Sequence, residues 1–285
     1  MRKIFGSLVV FLLSATLSFA EGNSGQNNKH DDFDDDRPIQ VGWAVITPAA
    51  GATSSSTNGM VVFASFGKNN GSDTTQAGIF PPALTTNTIL FVNSSGRLSR
   101  NLGVAIVNPG SSSTNVTMTL RREDGTLLAT KTIQVASHHQ ESKFVTELFS
   151  GQSAVPSDLT GTLTITSTSP ISVIGLRFRG ANFSTLPVTS LSTPGTMPAI
   201  TTEIGGAGAL LLPQFATGGG WATEIDIVNT GTTSLIVCID LFKPDGSALT
   251  ATLNRQTASS FTNLTIPAGG VLTVSPRDNN GDSRF

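Results

Sequence analysis

A chain of 285 residues with a net charge of −2, one cysteine and no tyrosine excludes several classes of protein before any motif is read. There is no basic excess to form an electrostatic footprint for nucleic acid or anionic lipid, and a single cysteine cannot close an intramolecular disulfide. Charged residues are only 13% while glycine alone numbers 29, a composition of short strands and many turns rather than of helices.

Residues 1–20 have the three parts of a secretory signal peptide: Arg2 and Lys3, an apolar run over 4–17, and Ser18-Phe19-Ala20 as a small-x-small cleavage site. That run is shorter than the roughly 20 apolar residues a spanning helix needs. Cleavage after Ala20 is expected, with the mature chain secreted, periplasmic or held at the cell surface, and no membrane span left after cleavage. Residues 21–39 form an acidic linker with five aspartates inside DDFDDD at 31–36. So little apolar surface cannot offset the entropy of ordering, so disorder is expected. The aspartates lack the glycine-turned ligand loop of a calcium site and read as a solvated spacer.

From residue 40 the pattern is strand, turn, strand. IVNPGSSSTNVTMTLRREDG begins at Ile106, and IVNTGTTSLIVCIDLFKPDG begins at Ile227, 121 residues later with no gap. Val116, Met118 and Leu120 alternate with Thr117 and Thr119, the period of a strand with one buried face. Val237, Ile239 and Leu241 repeat that face. Each copy then turns through Asp-Gly, at Asp124-Gly125 and Asp245-Gly246, a strong hairpin signal because glycine accepts positive φ. A preceding strand is expected at 103–107 and again at 223–228. The first copy continues into GTLTITSTSPISVIGLRF at 161–178, read as two strands joined around Ser169-Pro170. The second copy has no such continuation. Its counterpart is sought at residues 42–66, where Gly42, Ile46 and Thr47 match Gly161, Ile165 and Thr166 before a second apolar run. The domains expected are therefore a hairpin segment at 40–85 that completes the C-terminal module, a first β-sandwich module at 86–195, and a second at 205–285. Only residues 141–149 offer one or two turns of helix.

Candidates for chemistry are few. Of three histidines, His30 lies in the linker, while His138 and His139 are adjacent in a predicted turn and face apart, which suits neither a catalytic base nor a shared metal. Glu141, Glu147, Glu203, Glu224 and Asp226 are scattered without the facing pair that glycoside hydrolysis needs. The glycines at 205–209 and 218–220 lack the strand-loop-helix setting that cradles phosphate and read as turns. Asp278, Asn280 and Asp282 resemble the start of a calcium loop, but the terminal acidic ligand is missing, so a plain turn at a loose chain end is expected. Cys238 replaces Thr117 and reads as an inert, half-buried thiol. Trp43 and Trp221 each follow a glycine at the start of a predicted strand. They are the candidate ligand-binding residues, as an aromatic platform for sugar or peptide. The alternative structural reading makes them plugs at the end of a sandwich. No catalytic residue, metal site or cofactor is expected.

LPQFATGGGWATEIDIVNTG at 212–231, GVAIVNPG at 103–110, GTLTITSTSPISVIGLRFRG at 161–180 and GWAVI at 42–46 resemble the tandem immunoglobulin-like or fibronectin-like β-sandwich modules of large secreted proteins from environmental bacteria. The resemblance covers roughly residues 40–280. It implies an all-β protein of two antiparallel immunoglobulin-like sandwich modules related by internal duplication, acting as spacer or surface module. The expected function is accordingly non-enzymatic: a structural or adhesion-type protein with an extracellular protein or glycan as partner. A carbohydrate-binding module and a subunit that assembles by β-strand donation are the alternatives.

Overall fold

The computed structural model describes residues 41–46, 62–70, 73–186, 188–191, 209–219 and 221–283. The expected signal peptide, the acidic linker, His30 and most of the glycine cluster at 205–209 lie outside them. The chain divides into two compact units, Met1–Thr57 and Asn58–Phe285. Of the first, residues 41–46 are described, exposed and outside any strand; residues 47–61 of the expected completing hairpin lie outside the described residues.

In the second unit the strands pair with antiparallel neighbours. A two-stranded ribbon comes first, β1 (Ala64–Asn70) with β2 (Asp73–Ile79). Next come β3 (Thr85–Ser94), β4 (Arg100–Val107), β5 (Thr114–Arg122), β6 (Leu127–Val135) and β7 (Gln140–Phe144). The one helical turn among the described residues, α1 (Val145–Leu148), falls inside the stretch expected to hold one. It is entered through Phe144, whose backbone N–H donates to the Glu147 carboxylate. Beyond it lie β8 (Leu159–Arg179), β9 (Asn182–Leu186) and β10 (Thr189–Ser190).

β8 is one strand of 21 residues, where the sequence reads as two. Its first half pairs with β3 on one side and β5 on the other; its second half pairs with β4 and β9. One sheet therefore runs β6-β5-β8-β3-β10 and the other β7-β4-β8-β9, with β8 crossing between them. Pro170 sits at the crossing, where the missing N–H removes no ladder bond. Ser169 N–H donates to Thr114 Oγ1 there, and Ser167 Oγ donates to the Ser169 carbonyl, so the corner is tied by side chains. Both inner faces close on one core: Leu90 and Val92 from β3, Val104 and Ile106 from β4, Leu163 and Ile165 from β8, and the predicted trio Val116, Met118 and Leu120. Burying each such side chain contributes about 1.5–3 kcal/mol.

A smaller lobe comes next, with β11 (Ile225–Val228), β12 (Leu235–Asp240), β13 (Ala251–Leu253), β14 (Gln256–Ala258), β15 (Ser260–Ile266) and β16 (Val271–Val274). β11 pairs with β16, β12 with β15 and β13 with β14, around a core of Leu241, Ala251, Leu253, Phe261 and Val274.

The two lobes share local geometry at matching places. Asn108, fully buried, donates through Nδ2 to the carbonyls of Ser112, Val135 and Ala136 and accepts from Gly110 N–H. Asn229 donates to Thr233, Ile266 and Pro267 and accepts from Gly231 N–H. Asn108 N–H reaches the His139 carbonyl, and Asn229 N–H the Gly270 carbonyl. Pairing matches too: Thr114 faces Val135 as Leu235 faces Ile266, and Val107 faces Gln140 as Val228 faces Val271.

They differ in what is missing. β4 and β5 each have β8 on their second edge; β11 and β12 have no second neighbour among the described residues. Val237 and Ile239 are consequently only half-buried where Val116 and Met118 are fully buried, and Ile236 is 64% exposed.

Candidate functional site

The lobes meet at the first Asp-Gly turn. Gly125, at φ +84°, sits so close to the smaller lobe that an added Cβ would stand 2.1 Å from the Ala268 carbonyl oxygen. Opposite it, a Cβ on Gly270 would stand 2.5 Å from the Glu123 carbonyl oxygen. That carbonyl accepts from Val271 N–H at 2.8 Å. Two glycines thus bring backbone against backbone, which no side chain would permit.

Around this contact lies a cleft of about 310 Å³, lined among others by Arg97, Arg100, Arg122, Asp158, Arg277 and Asp282. Arg97 grips Asp282 bidentately, Nη1 to Oδ2 at 2.8 Å and Nη2 to Oδ1 at 2.7 Å. This pair holds the carboxyl of Asp282 below the usual range and raises the guanidinium. Arg100 is 7% exposed, donates Nη2 to the Ser283 carbonyl at 2.6 Å, and leaves Nε without a partner. Burial and then the neighbouring Arg179 lower its pKa. Glu224, just before β11, accepts from Arg177 Nη2 at 2.6 Å and from Ser283 Oγ, while the Arg177 guanidinium lies 5.7 Å from the Phe91 ring centroid. Charged side chains that carry no spacing signal in the sequence therefore tie the C-terminal residues to the larger lobe.

One carboxylate near this junction is held in a different setting. Asp226 accepts from Thr273 Oγ1 at 2.8 Å, yet burial, and then the charge of Glu224, push its pKa from 3.8 up to about 6. A raised carboxylate pKa makes the folded state bind its proton more tightly than the unfolded chain. The resulting cost to stability is absent below about pH 4 and complete above about pH 6. Asp226→Asn keeps an acceptor for Thr273 and should stabilise the protein at pH 7.5 by up to about 3 kcal/mol, a gain that fades toward pH 4. Urea midpoints at both pH values check this; an equal shift at both would exclude titration of Asp226 as the cause.

The other candidates fall elsewhere. Trp43 is 39% exposed and Trp221 75% exposed, so neither plugs a core. Trp221 is joined to Gly218 by a local backbone bridge, Gly218 N–H donating to the Trp221 carbonyl and Trp221 N–H to the Gly218 carbonyl. Gly218 and Gly219 take positive φ, in keeping with a turn. His138 lies in the left-handed region and His139 Nδ1 meets the Ser137 carbonyl. Cys238 is exposed rather than half-buried, because the second edge of β12 is open. Asp278 does form a turn, its Oδ1 accepting from the N–H groups of Asn280 and Asp282. The turn is no loose end, since Asp282 and Ser283 anchor it to Arg97 and Arg100. Glu141 pairs with Lys143, and Glu147 caps α1. Glu203 lies outside the described residues. Among the described residues no three His, Cys, Asp or Glu side chains gather as metal ligands, and no helix is long and apolar enough to cross a membrane.

Comparison with known proteins adds little to this geometry. No family model matches the chain, and no curated protein matches it. Among solved structures, the crystal structure of Thermotoga maritima 1070 aligns over 37% of this chain and 90% of its own, at 15% identity and a TM-score of 0.29.

Proposed function

We propose that the chain is an exported, non-enzymatic structural or adhesion-type protein, built of two immunoglobulin-like β-sandwich modules related by internal duplication. The observation that carries this reading is how the clustered charges of the junction are used. Arg97, Arg100 and Arg177 are each bound to the last residues of the smaller lobe or to Glu224, joining lobe to lobe rather than facing a substrate. The matched asparagine sites and strand pairings support duplication. An array of this kind holds a surface at a fixed distance and orientation, which suits a spacer or an adhesive module. The test is to delete the gene, follow the protein by cell fractionation and measure attachment of the cells to surfaces. The protein is expected outside the cytoplasm, with attachment falling several-fold; a cytoplasmic protein, or unchanged attachment, would overturn the reading.

Carbohydrate binding is the second reading, favoured by the exposure of Trp221 and, in the segment before it, of Leu210, Leu211 and Leu212. An open indole supplies an apolar face for a sugar ring. Trp221→Ala should reduce binding on a glycan array by at least tenfold without altering the unfolding midpoint. Unchanged binding would remove Trp221 from the contact, and an array with no signal from the native chain would remove the reading.

A further inference from the structure

The three arginines of the larger lobe that reach the smaller one are not served alike. Arg97, which is exposed, holds both oxygens of Asp282. Arg177, half-buried, holds Glu224. Arg100 is the most deeply buried of the three, yet among the described residues its side chain donates only to a neutral group, the Ser283 carbonyl, and its Nε has no partner. It opens β4 directly opposite Arg179 on β8, so the charge facing it across the ladder has its own sign. The carboxylates of Glu224 and Asp282 act on it through space but are already bonded to Arg177 and Arg97. A cation stripped of water is costly unless a carboxylate or a full set of acceptors replaces the water. Arg100 has neither, and its lowered pKa agrees with a guanidinium short of negative charge.

Arg100 forms part of the wall of the 310 Å³ cleft, beside the buried Ser94 and Ser95. The larger lobe adds the exposed Arg97, Arg122, Glu123 and Asp158; the smaller lobe adds Thr273, Arg277 and Asp282. Four arginines therefore meet three carboxylates, which leaves one positive charge in excess. Leu98 and Leu159 are the only aliphatic side chains in the wall, and the rest of it is charged, hydroxylated, amide or glycine. The volume lies at the lower end of the roughly 300–1,000 Å³ of small-molecule sites, room for about one sugar ring.

We propose that this cleft is a binding site for a uronate, a sugar ring that bears one carboxylate. One excess positive charge matches one carboxylate, and a guanidinium fork is shaped to hold a planar carboxylate. Arg100 supplies the donor that is left over within the lobe junction, with Arg122 and Arg277 as the further cations of the wall. Glu123 and Asp158 supply acceptors for ring hydroxyls. A neutral sugar would leave the charge of Arg100 unmatched. A dianion such as sulfate would set its second charge against the wall's carboxylates and offer them no donor. Trp221 takes no part in the wall, so this site is separate from an indole platform and does not rest on the adhesive reading. Because both lobes line the cleft, an occupant braces the junction and should raise the melting temperature.

Calorimetric titration of the full chain at low ionic strength, with glucuronate, glucose and sulfate as separate probes, tests the proposal. Glucuronate is expected to bind once per chain, roughly tenfold or more tightly than either glucose or sulfate. Absence of glucuronate binding would overturn the proposal. So would equal affinity for glucose, which would mean that no cation is used, or equal affinity for sulfate, which would mean an adventitious anion patch only. Arg100→Lys keeps the charge and a donor for the Ser283 carbonyl but lacks the fork and Nε, and should weaken glucuronate binding roughly tenfold. Arg122→Gln lies at an exposed position and serves where the Arg100 variant fails to fold. It should weaken glucuronate roughly threefold or more and leave glucose unchanged; unchanged glucuronate affinity in a folded variant of either arginine would overturn the proposal. A three-ring oligouronate separates the two sources of this chemistry. Much tighter binding of the oligomer supports the site as one for an acidic polysaccharide, and equal binding supports it as one for a free sugar acid.

Discussion

Asn108→Asp should cost the larger lobe about 4 kcal/mol, the largest loss expected from changing a single polar side chain. The native amide points its nitrogen at three carbonyl oxygens within 2.8–3.1 Å, in a site closed to water. Aspartate replaces that donor with an acceptor. Three carbonyls lose their partner and face a second oxygen, and a buried charge is added; each unsatisfied buried group costs about 1–3 kcal/mol. Urea unfolding monitored by far-UV circular dichroism measures the loss. A change below about 1 kcal/mol would mean that water reaches Asn108 and that the asparagine does not organise the lobe. Asn229→Asp meets the same three-carbonyl arrangement and should unfold the smaller lobe first.

Gly125→Val should cost about 3 kcal/mol or more and separate the lobes, through both left-handed strain and collision with the Ala268 carbonyl. Gly246 provides the control. It lies in the matching Asp-Gly turn at φ +81° with nothing within 4 Å of an added Cβ, so Gly246→Val carries only the backbone strain of about 1–2 kcal/mol. Small-angle scattering should show a broader distance distribution for the Gly125 variant alone. Equal losses at the two positions would show that the junction adds nothing to the stability of the chain.

Much of the larger lobe is legible in the sequence. Val116, Met118 and Leu120 announce a one-sided strand, and they are buried against β8 as alternation requires. Asp-Gly marks the turns, and Gly125 and Gly246 both take positive φ. The single strand β8 is not legible, because Ser169-Pro170 has the composition of a break and only the surrounding sheets keep the chain extended through it. Asn108 reads as a turn residue; that its amide gathers three carbonyls from two loops depends on contacts distant in sequence. The junction is hidden for the same reason. Arg97 and Asp282 are 185 residues apart, and no local pattern pairs them. Trp221 is ambiguous in sequence, since the same aromatic fills a core or a platform, and only the folded chain shows it exposed.

The glycine contact is also one-sided. Gly269 and Gly270 receive the turn of the larger lobe, and the loop with the same backbone course in the larger lobe has His138, at φ +56°, and His139 in their places. The open turn at Pro244, Asp245 and Gly246 would therefore meet a β-carbon on His139 where its counterpart meets none. The close backbone contact that joins the two lobes is therefore not available to a second copy at that turn and loop.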